Sequence, residues 1–210
     1  MQADLDLYEL GIMVTVISFL GFVLENIWLV LTKGYFDNRN MHLPFLFGYG
    51  VLVTGLFLLI GTPQNVVILG RVSLKKYGRL FYFLATMLVV SIGEIALGML
   101  VERACGFEYW NYEWIPMHIT KYTSLPTSTG FTAIIMGFME RVFPRLMENI
   151  AALEQGYMQG LSSVFILLMA VDFIVSFVQM SVRHSLNQIW KIPVGNDERR
   201  QEIRKALHIG

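Results

Sequence analysis

Long stretches almost free of charge dictate what this chain can fold into. Leu10 to Thr32 holds one charged residue, Glu25, while Leu80 to Val101 holds only Glu94 and Gln155 to Val182 only Asp172. Phe45 to Gly70 and Tyr122 to Met139 hold none. A helix rising about 1.5 Å per residue needs about 20 residues to cross about 30 Å of hydrocarbon. The first, third and fifth runs meet that length. The second is expected to end its helix at Gly61-Thr62-Pro63. The fourth is short and polar at its start, a pattern that also fits a re-entrant segment. No run alternates with period two, so strands are not expected. The fold class that follows is all-α: a polytopic integral membrane helical bundle of about five transmembrane helices.

Composition agrees. Hydrophobic residues make up 55% of the chain and charged residues 15%, against about 25% charged in an average soluble domain. The formal net charge is zero, which gives no reason to expect a nucleic-acid partner. The single cysteine, Cys105, excludes an internal disulfide framework. Asp4, Asp6 and Glu9 precede the first run without a Lys or Arg, the wrong charge for a cleaved signal peptide, so the run is expected to be a retained span.

Two regions are expected: a transmembrane bundle over residues 1–185 and a polar C-terminal tail over 186–210. In the tail, Asp197 and Glu198 precede Arg199, Arg200, Arg204 and Lys205, the order that suits a helix macrodipole, so a short helix is expected there. Arg141 to Glu154 has the pattern of a short amphipathic helix, broken by Pro144. An acidic start and a basic end favour a cytoplasmic C-terminus in a multi-pass membrane protein. The basic connector Arg71–Arg79 runs against that orientation.

The three intramembrane acids are the sharpest functional signal. Each costs about 2.5–3.5 kcal/mol near a helix centre, and such residues face the bundle interior, a partner or water. Gly21 lies four residues before Glu25, and Ser91 and Gly98 flank Glu94. Asp172, Ser176, Gln179 and Arg183 form one polar stripe. Two roles stay open: lining a transport path, or holding the bundle together by accepting bonds from hydroxyls and from Arg39. In Thr120–Thr132 the hydroxyls read best as a capped helix entry, with Ser124 or Thr123 as cap and Pro126 in the first turn. Tyr109, Trp110, Tyr112, Trp114 and Tyr122 suit membrane-interface anchors. His42, His118, His184 and His208 are scattered without metal-ligand spacing, and no P-loop or Gly-x-Ser-x-Gly occurs, so neither a cofactor nor an enzymatic activity is expected. Gly156 and Gly160 have the spacing of a helix-packing face.

Several of these residues fall into a known pattern. Gly21-Phe22-Val23-Leu24-Glu25, then Asn38-Arg39, then Pro44-Phe45-Leu46-Phe47-Gly48-Tyr49-Gly50, then Glu94 among small residues, then Trp110-Asn111-Tyr112, occur in that order. Over about Phe19 to Leu146 the chain resembles the bacterial ABC-transporter type IV membrane family, also called CmpB-like. Asn40 stands where the family has Gly, Asn111 where it has Asp, and the Pro-to-Gly segment is shorter. The last third matches in hydropathy alone. The resemblance implies a permease-like subunit of a small-solute transporter, embedded in the lipid bilayer and needing a separate ABC ATPase subunit or homo-oligomerisation. The alternative is a non-catalytic membrane partner or regulatory subunit; a membrane-embedded enzyme ranks below both. The candidate site is a polar cluster of Glu25, Asn38, Arg39, Tyr49 and Glu94, with Trp110, Tyr112 and Asp172 beside it.

If these runs are dissolved in lipid, membranes washed at alkaline pH will keep the chain and only detergent will release it. A monodisperse protein in detergent-free buffer would exclude the bundle.

Overall fold

The computed structural model describes residues 6–186 and 191–195. Six helices account for most of the described residues: α1 (Leu7–Lys33), α2 (Phe47–Ile60), α3 (Gly78–Cys105), α4 (Leu125–Arg141), α5 (Phe143–Ala151) and α6 (Gln155–Arg183). The protein is a helical membrane protein. α1, α3 and α6 are long and apolar enough to cross a bilayer. α2 has 14 residues and α4 has 17, or about 21 and 25 Å at 1.5 Å per residue. They run within the bundle but fall short of a full hydrocarbon crossing, in keeping with three full-length runs and two shorter ones in the sequence.

Local chemistry sets the helix ends. Asp6 caps α1, and the Glu9 carboxylate accepts the Asp6 N–H at 3.1 Å, closing a capping box. Gly34, in the left-handed region at φ 71°, ends the helix. Ser124 caps α4, with Pro126 in its first turn. Pro144 does not break the amphipathic segment as its sequence suggested. It lies at the start of α5, where its missing N–H costs nothing. Phe143, Met147 and Ile150 of α5 are buried while Arg145 and Glu148 face outward.

The second apolar run is not one element. After α2 it turns at Gly61 and becomes a small antiparallel sheet of β2 (Gly61–Thr62), β3 (Asn65–Ile68) and β4 (Val72–Leu74). Two further ladders pair β1 (Tyr35–Phe36) with β7 (Ile192–Pro193), and β5 (His118–Thr120) with β6 (Thr123–Ser124). These strands were not expected. Each has two to four residues, too few for a period-two pattern to register. The β1–β7 ladder fastens part of the tail beside the end of α1, where Lys191 lies 4.7 Å from the centre of the Tyr35 ring. The helix expected in the tail lies outside the described residues.

The bundle has two unlike ends. At one end α5 closes over α1 and α2, with Phe57 and Phe143 at 4.8 Å between ring centres and Met13, Tyr82 and Met139 buried around them. The other end gathers the end of α1, the start of α2, the ends of α3 and α6 and the start of α4, and carries most of the buried polar groups. α1 is the hub, packing most extensively on α2 and α6, while α3 packs mainly on α4. Glycines permit the close approaches, Gly11 against Ser162 and Gly50 against the Val14 carbonyl among them. A Cβ on Gly21 would stand 2.6 Å from the Tyr49 side chain, and one on Gly98 would strike the Tyr122 ring. Gly156 and Gly160 face open space, so they are no packing face within the chain.

Gly98→Ala and Gly21→Ala are therefore expected to cost about 1–3 kcal/mol by overpacking, whereas Gly156→Ala should stay within about 0.5 kcal/mol or gain slightly. Thermal unfolding in detergent, followed by size-exclusion fluorescence, compares them. Equal melting of Gly98→Ala and Gly156→Ala would remove the ring seat.

Candidate functional site

The polar end is built around Glu25, buried near the end of α1. Its Oε1 accepts from Arg39 Nε at 2.7 Å and also from Nη2, and its Oε2 accepts from the Tyr49 hydroxyl at 2.9 Å. The Arg39 guanidinium lies 5.6 Å from the centre of the Tyr109 ring, and the Tyr109 hydroxyl donates to the Arg39 carbonyl at 2.5 Å. Burial alone would lower the arginine's pKa; the Glu25 carboxylate more than reverses that and holds it above its ordinary value. Burial raises the pKa of the Tyr109 phenol, with Arg39 pulling the other way.

The connector carrying Arg39 is folded to deliver it. Arg39 and Asn40 both occupy the left-handed region, at φ 49° and 68°. A glycine would sit there without strain, and Asn is among the few side chains that tolerate it. The Asn for Gly departure at position 40 therefore preserves the turn, and the Asn40 amide adds a bond to the Ser176 carbonyl at 3.1 Å. Asn38 does not reach Glu25. It is fully buried and donates to the Met41 and Leu43 carbonyls, both at 2.8 Å, closing the loop on itself. Asn26, the next residue after Glu25, accepts the Asp37 N–H at 2.8 Å.

Asp172 stands apart from Glu25. It accepts the backbone N–H groups of His42 (2.9 and 3.1 Å) and Leu43 (2.8 Å), lies 2.8 Å from His42 Nδ1, and accepts the Ser176 hydroxyl at 3.3 Å. Ser176 Oγ is also 3.3 Å from the same Nδ1. Serine and aspartate thus meet one ring nitrogen, which is not the relay a nucleophilic serine requires.

Glu94 forms a third centre. Its Oε2 accepts from Thr123 at 2.6 Å and Ser128 at 3.5 Å, and Ser91 donates to Ser128 at 3.0 Å. The hydroxyl-rich entry to α4 therefore both caps the helix and meets the acid of α3. Tyr112 feels the carboxylates of both clusters. Burial raises its pKa, and the Glu94 and Glu25 carboxylates add to the rise. Trp110 lies further out, its Nε1 donating to the Tyr122 carbonyl at 2.9 Å. Lys121 bridges Glu102 (2.6 Å) and Glu108 (2.8 Å) at the rim. Its ammonium holds the exposed Glu108 carboxyl below the ordinary carboxylate range.

Glu25, Arg39 and Tyr49 are thus brought together, and Glu94 and Asp172 are held by separate partners. Sequence reasoning passed over His42, Asn26, Tyr109, Thr123 and Ser128 as direct partners. Thr123 and Ser128 were visible within the hydroxyl run. His42 carried no signal, because its partner Asp172 lies 130 residues away in sequence.

A bundle with three full-length apolar helices and paired intramembrane charges defines a multi-pass integral membrane protein. The family described as "Putative ABC-transporter type IV" matches residues 12–177, and the chain belongs to that family. The match runs past Leu146 through most of α6, so Asp172 lies within it. No curated protein and no solved structure matches the chain.

Removing one member of a buried ion pair leaves an uncompensated charge and typically costs about 3–5 kcal/mol. Side-chain exposure of 13% for Arg39 and 9% for Glu25 places this pair in that regime. Arg39→Gln and Glu25→Gln should each lower folded yield and melting temperature sharply, and the double variant should cost clearly less than their sum. Strict additivity across the cycle would mean the two side chains do not interact.

Proposed function

We propose that the chain is a permease-like subunit of a small-solute transport complex in the bacterial plasma membrane, completed by a separate ABC ATPase subunit or by further copies of itself. It works without enzymatic chemistry of its own. The observation that carries this reading is the unfinished bundle. In the most apolar stretch of α1, 44% of residues are buried inside the structure, against 22% in α3 and 22% in α6. Lipid can cover such faces, but a chain with one central helix and two largely uncovered ones is poorly built to enclose a polar path alone. The transporter-related family supports the same reading.

The orientation proposed places the C-terminus in the cytoplasm. Arg71, Lys75, Lys76, Arg79, Arg141 and Arg145 lie toward the α5 end, and Lys33, Arg39, Arg103, Lys121, Arg183 and Lys191 toward the polar end. With these nearly balanced, Arg199, Arg200, Arg204 and Lys205, which follow α6 in sequence, tip the count toward a cytoplasmic polar end.

One observation favours a second reading, a non-catalytic partner that steadies another membrane complex. Glu25 and Asp172 are partnered within the chain, as cohesive groups would be. Purification of the full chain in mild detergent separates the two readings. The transport reading expects either a P-loop ATPase at fixed stoichiometry whose hydrolysis rate depends on this chain, or a stable oligomer of the chain alone. A complex with fixed partners but no ATPase supports the second reading. A monomer that binds neither another chain nor itself, in detergent or in lipid discs, excludes both.

A further inference from the structure

α1 and α4 barely touch, although both begin or end at the polar face. Between them lies a cleft of about 360 Å³, within the range of small-molecule sites. Its walls are apolar, with Leu24, Ile27, Trp28 and Leu31 on α1 and Phe131 and Ile134 on α4. Ile27, Leu31 and Ile134 are about half exposed, at 52, 49 and 47%. In a bilayer that exposure faces acyl chains, so the mouth opens sideways into lipid. Trp114 and Ile115 cover the side toward water, and Trp114 is held there by its Nε1 bond to the Asn111 carbonyl at 3.0 Å.

Only a small part of the lining is polar. Glu25 is one of the lining residues, its carboxylate already accepting from Arg39 and Tyr49. Tyr112 is another, and its hydroxyl makes no hydrogen bond to a described residue. A largely buried phenol without a partner in an apolar cleft is costly unless something supplies one. Arg39 already balances the Glu25 charge, so a charged head group of either sign would bring an uncompensated charge into the cleft. A neutral hydroxyl fits, since it can accept from Tyr112 and donate to the remaining lone pairs of Glu25.

We propose that the cleft between α1 and α4 binds a neutral, single-chain amphiphile with a hydroxyl head, of the long-chain alcohol class, entering laterally from the bilayer. The head lies between Tyr112 and Glu25, and the chain runs along Trp28, Phe131 and Ile134 toward the lipid. This binding is a property of the isolated chain and does not depend on the transport reading.

Gly130 supplies the decisive variant. It lines the cleft, and a Cβ placed on it meets nothing within 4 Å. Gly130→Leu should therefore fill the site without disturbing the bundle, and Gly137→Leu, equally unobstructed but outside the cleft, is the control. The full chain in lipid discs is exposed to a diazirine-bearing hexadecanol, and labelled positions are mapped by mass spectrometry. Labelling is expected on the segments around Trp28 and Phe131, displaced by plain hexadecanol but not by palmitic acid. Gly130→Leu should reduce it about tenfold and Tyr112→Phe several-fold, and Gly137→Leu should leave it unchanged. Labelling spread evenly over α3 and α6 and indifferent to Gly130→Leu would overturn the proposal, as would equal displacement by the fatty acid. If Gly130→Leu lowers the melting temperature, Tyr112→Phe decides: undiminished labelling in that variant overturns the hydroxyl-head site.

Discussion

A guanidinium and a carboxylate taken out of water together organise the polar half of this protein. Glu25 belongs to a helix inside the bundle, and Arg39 comes from the connector that follows it. Neither charge is tolerable there alone. To bring Arg39 to Glu25 the connector must fold inward, which places Arg39 and Asn40 in left-handed conformations. That same fold aims the His42 and Leu43 amides at Asp172. One ion pair thus fixes a loop, and the loop carries the bonds that tie α6 to α1 and α2. Tyr49, at the start of α2, completes the Glu25 shell and is itself seated against Gly21.

The order of these constraints explains what could be read beforehand. Apolar run length reveals helices because lipid leaves no other choice for the backbone, and α1, α3 and α6 follow directly. Ser124 and Pro126 marked the start of α4 because capping is local chemistry. Gly21 and Gly98 stood out because small residues beside intramembrane acids mark close helix approach. The ladders in the connectors were not legible, being two to four residues long and held by partners distant in sequence, as with Tyr35 and Pro193. Asp172 was visible as an acid, but its main partners are backbone amides, which every residue except proline possesses. Glu94 was grouped with Glu25 through the family pattern and the expected reach of Arg39, and the hydroxyls of Thr123 and Ser128 hold it on the α4 side.

Of the three departures from the family pattern, the two substitutions obey the same physics. Asn40 keeps the left-handed turn that glycine would provide and gains an amide bond to α6. Asn111, where an aspartate is usual, accepts the Glu113 N–H at 2.7 Å and donates to Glu108 and Glu113 at 3.0 and 3.3 Å. An aspartate could make the first bond but would face two carboxylates with the others. The substitution suits the acidic surroundings that this chain has at that turn.

The helices fall into two groups. α1, α2 and α6 pack as one and α3 with α4 as the other, with α5 joining them at the closed end. At the polar end the seam between the groups is bridged by few bonds. Tyr109, just past α3, donates to the Arg39 carbonyl, and the His184 ring, after α6, lies 2.7 Å from the Cys105 carbonyl. The α1–α4 cleft lies on this seam. A movement widening it would strain the Tyr109 and His184 bridges but could leave Glu25, Arg39 and Tyr49 together, because all three belong to the first group. Arg39 nevertheless crosses the seam, because the Tyr109 ring lies 5.6 Å from its guanidinium, so opening there would strip a contact from the ion pair. Glu94 would keep its partners, since Thr123 and Ser128 lie on its own side of the seam.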